Sequence, residues 1–313
     1  MKKLAGFSIL LVFLQFWLVI AQETGIEILD PDFKDVVDNR AELRVIADDL
    51  QFTEGPVWIE AKADEPGYLL FSDIPADIIY RWSPGTGALS VWRKPSGNSN
   101  GLILDPAGHL VSCEHGTRRV GISGVPGPVE TLCDSYQGRA LNSPNDAAID
   151  LKGGTWFTDP PYGIRPEDKE QPANYVFYLA PGEKEPRAVV DDFDRPNGIV
   201  FSPDKKRLYI ADSGKPHHIR HFRVKGEALE EIGVFGVISP GGPDGMCVDV
   251  SGRLYTSAGD GVHVFSPRGK LLGKILTPRK PTNCCFGGNA MRTLFITARP
   301  DVYSIRVKVR GLR

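Results

Sequence analysis

With 313 residues, 41% of them hydrophobic, and a formal net charge of −2, the chain can bury a substantial core and is neither disordered nor low in complexity. Its 39 acidic and 37 basic residues are interspersed, so no charged face suggests nucleic acid or an anionic membrane as a partner. The 34 Gly and 25 Pro fit an all-β fold with many tight turns.

Lys2 and Lys3 precede an apolar run from Leu4 to Ile20, and Val19-Ile20-Ala21 offers a cleavage site before Gln22. This predicts a signal peptide over 1–21, removed on export, and a secreted or periplasmic protein with no stable membrane insertion. An uncleaved anchor is the alternative, because the run nearly spans a bilayer. Residues 22–39 read as a leader lying across the surface, and 40–313 as one domain.

From there a short pattern recurs six times: a small polar turn ending in Glu, Asn or Asp, a hydrophobic strand, then a Gly-punctuated hairpin. The copies are TEGPVWIE from Thr53, SNGLILD from Ser99, SPNDAAID from Ser143, RPNGIVFSPD from Arg195, GPDGMCVD from Gly242 and TNCCFGG from Thr282. Their polar anchors, Glu54, Asn100, Asn145, Asn197, Asp244 and Asn283, recur at intervals of 39 to 52 residues. Each unit continues into a second strand, as in GYLLFSD from Gly67, GGTWFTD from Gly153, KRLYIAD from Lys206 and RTLFITA from Arg292. Outer strands such as IIYRW (78–82) and IRHFRV (219–224) follow. The alternation of β-branched and aromatic residues favours strands over helices. A period near 45 with four strands per unit predicts a six-bladed β-propeller of antiparallel blades. Only three strand-like runs remain after the last anchor, so the strand at 42–47 is expected to complete the last blade and close the ring.

In such a ring the anchors face the mouth of a central channel. Asn-Gly and Asp-Gly alone are ordinary hairpin turns, but anchors in phase with a repeat bring several oxygens to one place. Hard oxygens of low total charge suit Ca²⁺, with Zn²⁺, Mn²⁺ or Mg²⁺ as alternatives; no His occupies an anchor position. His115 and Asn100 are read as channel residues that could contact a substrate, each with a structural role as the alternative. Tyr162 is either a roof over the pocket or turn packing, and Asp146 either supports the site or shapes a turn. His217, His218 and His221 read as surface residues. The five cysteines read as small buried hydrophobes; if one bridge exists, Cys113 to Cys133 is the expected pair.

The strings FTEGPVW, FSDIPADIIYRW, SNGLILD, CEHGTRRV, LNSPNDAAID, WFTDPPYGI, DDFDRPNGIVFSPD, LYIADSG, PDGMCVD, SAGDGVHVF and NCCFGG carry a resemblance. From about Leu43 to Val309 the chain resembles the SMP-30/gluconolactonase/LRE-like family of regucalcin-like, calcium-dependent lactonases. It is more similar to the bacterial gluconolactonase branch than to animal regucalcin. The resemblance implies one channel-bound divalent metal held by Glu54, Asn145, Asn197 and Asp244. It also implies Asp244 as the proton-shuttling acid and Asn145 as a substrate contact. Where regucalcin-like members carry Arg two residues before that Asn, this chain has Ser143, and Arg118, Arg119 or His115 are the candidates to replace the missing contact. The expected reaction is metal-dependent hydrolysis of a sugar lactone, with the metal polarising the ester carbonyl. Either Asp244 or a metal-bound water starts the attack. Esterase or organophosphate hydrolysis at the same metal, or a non-catalytic ligand-binding propeller, are the competing readings. The chain is expected to act as a monomer or weak dimer on a small molecule.

Overall fold

The computed structural model describes residues 25–63 and 65–312; the expected signal peptide lies outside the described residues. Six four-stranded antiparallel units surround a channel, spanning 53–93, 99–133, 147–190, 196–237, 246–276 and 283–306. The last unit has three strands of its own, and Arg44–Ala47 supplies the fourth by pairing with Asp301–Arg306. The ring therefore closes as the sequence predicts. Trp58 of blade 1 stacks on Phe295 of blade 6 across this closure, with ring centroids 5.5 Å apart. No helix among the described residues is long and apolar enough to cross a membrane.

Two expectations are corrected. The leader does not merely lie across the surface. Gly25–Ile28 pairs with Leu271–Leu276 as a fifth strand on blade 5. A short 3₁₀ turn, Pro31–Asp35, follows, capped by the Asp30 carboxylate accepting from the Asp32 N–H at 2.9 Å. Phe33, Val36 and Val37 are fully buried against blades 5 and 6, each contributing roughly 1.5–3 kcal/mol of burial.

The five cysteines are free thiols and four of them are buried, as expected of small hydrophobes; the second correction concerns only the conditional Cys113–Cys133 pairing. Cys113 and Cys133 both pair with Val120, one on each side of it. A whole strand separates them, about 9–10 Å at normal strand spacing, which a disulfide cannot span. The close pair is Cys247 and Cys284, on the inner strands of blades 5 and 6, with their sulfurs 3.4 Å apart.

Three features set the anchors at one level. First, the anchors are not simple turns: the ladder shifts register between Glu54 and Val57, between Ser99 and Leu102, and between Pro196 and Ile199. Such bulges re-aim side chains. Second, hydroxyls near the end of the second strand reach the next blade. Ser72 donates to the carbonyl of Asn100 (2.8 Å), Thr158 to that of Asn197 (2.8 Å) and Ser257 to that of Thr282 (2.9 Å). Third, the Asp that ends the second strand clamps the segment before the anchor. Asp73 accepts from the N–H groups of Gln51 and Phe52, Asp159 from Asn142, and Asp212 from Asp194 and Arg195. The recurring Ser/Thr and Asp of the second strand are thus what hold the ring of anchors.

Candidate functional site

The inner strands crowd together at the anchor end. A Cβ on Gly55, whose φ is +51°, would lie 2.0 Å from the carbonyl oxygen of Asn100; one on Gly198 would lie 2.2 Å from that of Asp244. The glycine after the anchor therefore lets adjacent anchors approach, rather than forming a hairpin turn. Glu54, Asn100, Asn145, Asn197 and Asn283 are all buried, while Asp244 and Asp146 are partly accessible from the channel.

Glu54 Oε2 accepts from the Gly55 N–H at 2.8 Å and from Asn283 Nδ2 at 3.1 Å. Burial first, and the nearby charges of Asp244 and Asp146 second, hold its carboxyl well above the usual range. Asp244 is pushed up to about 7 by burial, against the charges of Lys280 and Arg299 and a hydrogen bond from Asn197. Asp146 also rises to about 7 through burial, although the N–H groups of Ala147 and Ile199 and the Asn283 carboxamide oppose the shift. Three mutually repelling carboxyl groups and the carboxamides of Asn197 and Asn283 thus share one neck. Among the described residues no three His, Cys, Asp or Glu side chains converge closely enough to hold a metal by themselves. The donor set nevertheless fits a cation that draws on carboxamide as well as carboxylate oxygen, since repulsion between buried carboxylates is relieved by positive charge.

His115 sits beside this neck as an Nε2 acceptor for Asn100 Nδ2 at 3.3 Å, which puts the ring proton on Nδ1. Burial lowers its pKa to about 4, so the ring is neutral at pH 7. Tyr162 lies at the mouth, its hydroxyl interacting with Asn197 and Ser213 and its ionisation raised by burial and by Asp244. Ser143 is buried and spoken for. Its hydroxyl donates to the Pro160 carbonyl (2.6 Å) and accepts from the Gly163 N–H (2.8 Å), closing the turn that carries Tyr162. Neither Arg118 nor Arg119 is free to replace the missing Arg: Arg118 bonds the Leu141 carbonyl and Glu170, and Arg119 bonds buried Glu114 and Thr131.

Sequence reasoning left Asp146 undecided, and the structure brings it into the neck. The available signal was that Asn145 alone among the Asn anchors is followed by an acid. A cavity of about 480 Å³ opens at the opposite end of the channel, lined by Val57, Leu102, Ile199, Val248, Phe286 and Leu312. Only Asp146 and Asn283 of the neck reach it. Its wall is largely apolar, with Cys247, Cys284, Cys285, Asp105, Asp150 and Lys205 among its other residues, and of the six anchors only Asn283 lines it, so the anchor end is the candidate site.

The family model described as SMP-30/Gluconolactonase/LRE-like region matches residues 52–299. The chain belongs to this family. It is 34% identical to a gluconolactonase from Zymomonas mobilis over 90% of this chain and 85% of that one. The solved structure of a gluconolactonase from Xanthomonas campestris superposes with a TM-score of 0.84 at 34% identity, covering 92% of this chain and 96% of that chain. A calcium-binding protein, regucalcin, from Agrobacterium tumefaciens matches with a TM-score of 0.72 at 18% identity over 87% and 96% of the two chains, a likeness of fold alone.

Proposed function

We propose that the protein is a lactonase of the gluconolactonase type that opens sugar lactones at the anchor end of its channel. The observation that carries this reading is the convergence of Glu54, Asp244 and Asn197 on one buried neck, in a chain of the gluconolactonase family. Glu54, Asn145, Asn197 and Asp244 would hold one divalent cation, with Ca²⁺ favoured by their hard oxygens. When bound, that cation supplies positive charge that polarises the ester carbonyl.

The chain's own residues do the rest. Asp244, with a pKa of about 7 in the absence of a cation, accepts the proton of an attacking water as its oxygen bonds the carbonyl carbon. The ring C–O bond then breaks, and Asp244 returns the proton to the departing ring oxygen. Asn145 and Asn100 offer carboxamides to the sugar hydroxyls, neutral His115 holds Asn100 in place, and Tyr162 covers the bound ring from the turn at 160–163. Ser143 acts only by fixing that turn.

Acid release from D-glucono-δ-lactone tests this reading, with added Ca²⁺, after chelation, and with Asp244→Asn. Turnover that needs the cation and falls by about 10²–10⁴-fold in a folded Asp244→Asn protein is expected. Cation binding without turnover of any lactone would favour a binding propeller instead. Export completes the proposal, supported by the Lys2-Lys3 and Leu4–Ile20 pattern; a purified protein beginning at Gln22 is the expected product. Sedimentation should find a monomer or weak dimer.

A further inference from the structure

Three basic side chains surround the neck without ion-pair partners. Arg195 immediately precedes the inner strand Pro196–Phe201, and its guanidinium lies 5.6 Å from the ring centroid of Tyr162. Lys280 stands three residues before Asn283. Arg299 directly follows Thr293–Ala298, whose Thr297 pairs with Asn283, so it emerges at the anchor end. The Arg299 guanidinium sits 4.5 Å from the ring of Phe52, two residues before Glu54. All three are exposed, and none of the ion pairs among the described residues includes them; it is Arg279, not Arg299, that approaches Asp301, at 3.8 Å. The acids of the same rim are occupied by backbone donors: Asp73 by Gln51 and Phe52, Asp212 by Asp194 and Arg195, and Asp194 by Lys215.

With a divalent cation on Glu54 and Asp244, Asp146 is the neck carboxyl left without it, and Arg195, Lys280 and Arg299 remain at the mouth with no carboxylate in an ion pair to them among the described residues. A neutral sugar offers nothing to pair with them. The contact expected from Arg at position 143 is absent, and Arg118 and Arg119 are engaged elsewhere. We infer that the substrate is a sugar lactone bearing an anionic substituent, a carboxylate, phosphate or sulfonate, received by Arg195 on one side of the mouth or by Lys280 and Arg299 on the other. Guanidinium groups suit such a partner because they bind planar or tetrahedral oxyanions through two donors at once. The inference rests on the lactonase reading for its reaction and on the rim for its specificity.

Steady-state kinetics on 6-phosphoglucono-δ-lactone, a glucarolactone and D-glucono-δ-lactone test it, for the wild type and for Arg195→Gln, Lys280→Gln, Arg299→Gln and the triple variant. The expected result is a higher kcat/KM for at least one anionic lactone, falling as salt is raised. The preference over D-glucono-δ-lactone should shrink by about tenfold or more in the triple variant, the size of one lost charge-assisted contact. Losses confined to Arg195→Gln, or to the blade 6 pair, identify which side receives the anion. Equal kcat/KM for charged and neutral lactones, unmoved by the triple variant, overturns the inference while leaving the lactonase intact. So does an equal loss on all lactones, because the cations then only balance the neck carboxylates. If no lactone is opened, the lactonase reading fails, and calorimetry with the product acids still decides the rim. Tighter binding of 6-phosphogluconate than of gluconate, lost in the triple variant, supports the anionic subsite, and equal binding rejects it.

Discussion

The two ends of the channel are built from the same inner strands yet differ in every respect that matters for chemistry. At the anchor end each unit carries an oxygen-bearing residue, followed in four of the six by a glycine, so neighbouring strands close to the limit of contact and their polar groups share one neck. A few residues further along, Val57, Leu102, Ile199 and Phe286 take over, and the same strands enclose an apolar cavity of about 480 Å³. Backbone approach, set by the glycines, separates a polar neck from a greasy vestibule. The neck is the candidate for ligand chemistry because there three buried carboxyl groups, Glu54, Asp146 and Asp244, are brought within reach of one another.

The sharpest way to break this contrast is to remove a carboxylate from the neck. Glu54→Gln should lower lactone turnover by about 10²-fold or more, comparable to losing an electrostatic element of an active site, with the fold intact by circular dichroism. Retained turnover would show that Glu54 is only structural.

Next comes the approach of the strands themselves. Gly55→Ala adds a Cβ against the Asn100 carbonyl at a positive φ. It should destabilise the protein by about 1–3 kcal/mol and weaken cation binding, read as a lower melting temperature and a higher Ca²⁺ requirement. An unchanged melting temperature would mean that the neck is looser than its geometry implies.

A smaller effect should appear with pH. Asp146 and Asp244 have folded pKa values near 7, above the usual carboxylate range, so the native state binds more protons than the unfolded chain between about pH 4 and 7. The cation-free protein should therefore lose stability as pH rises through that window and level off above it. A cation must displace those protons, so the gain in melting temperature from Ca²⁺ should be larger at pH 8 than at pH 5. Equal gains at both would contradict the elevated carboxyls.

The smallest changes belong to the other end and to the thiols. Val248→Leu, in the lower cavity, should alter lactone turnover less than about twofold, since it lies beyond the anchor end of its strand and pairs with Leu254. Under mild oxidation Cys113 and Cys133 should not become linked to each other in peptide maps, because Val120 lies between them.

Much of this protein can be read along the chain. The strand pattern, the six anchors and the strand that completes the last blade follow from local periodicity, because alternating burial and turn residues leave their record in adjacent positions. The six anchors were legible because they keep phase with that repeat, whereas the family resemblance, not the repeat, singled out Glu54, Asn145, Asn197 and Asp244 as the expected cation holders. Other features depended on which blade meets which. Asp146 looks like any turn acid until ring closure sets it beside Glu54 and Asp244. Arg195, Lys280 and Arg299 lie far apart in sequence and form one rim only in three dimensions. Cys113 and Cys133, the pair expected only if a bridge formed, are kept apart by an intervening strand, while Cys247 and Cys284 meet across a blade boundary. Even the leader, featureless as sequence, finds a strand edge and a pocket for Phe33 only once blade 5 exists. The sequence alone determined the repeat, and with it the fold and the anchors, because those are properties of neighbours. The tertiary structure alone decided the charge balance and the partners of individual side chains, because these arise from contacts between residues that only the closed ring brings together.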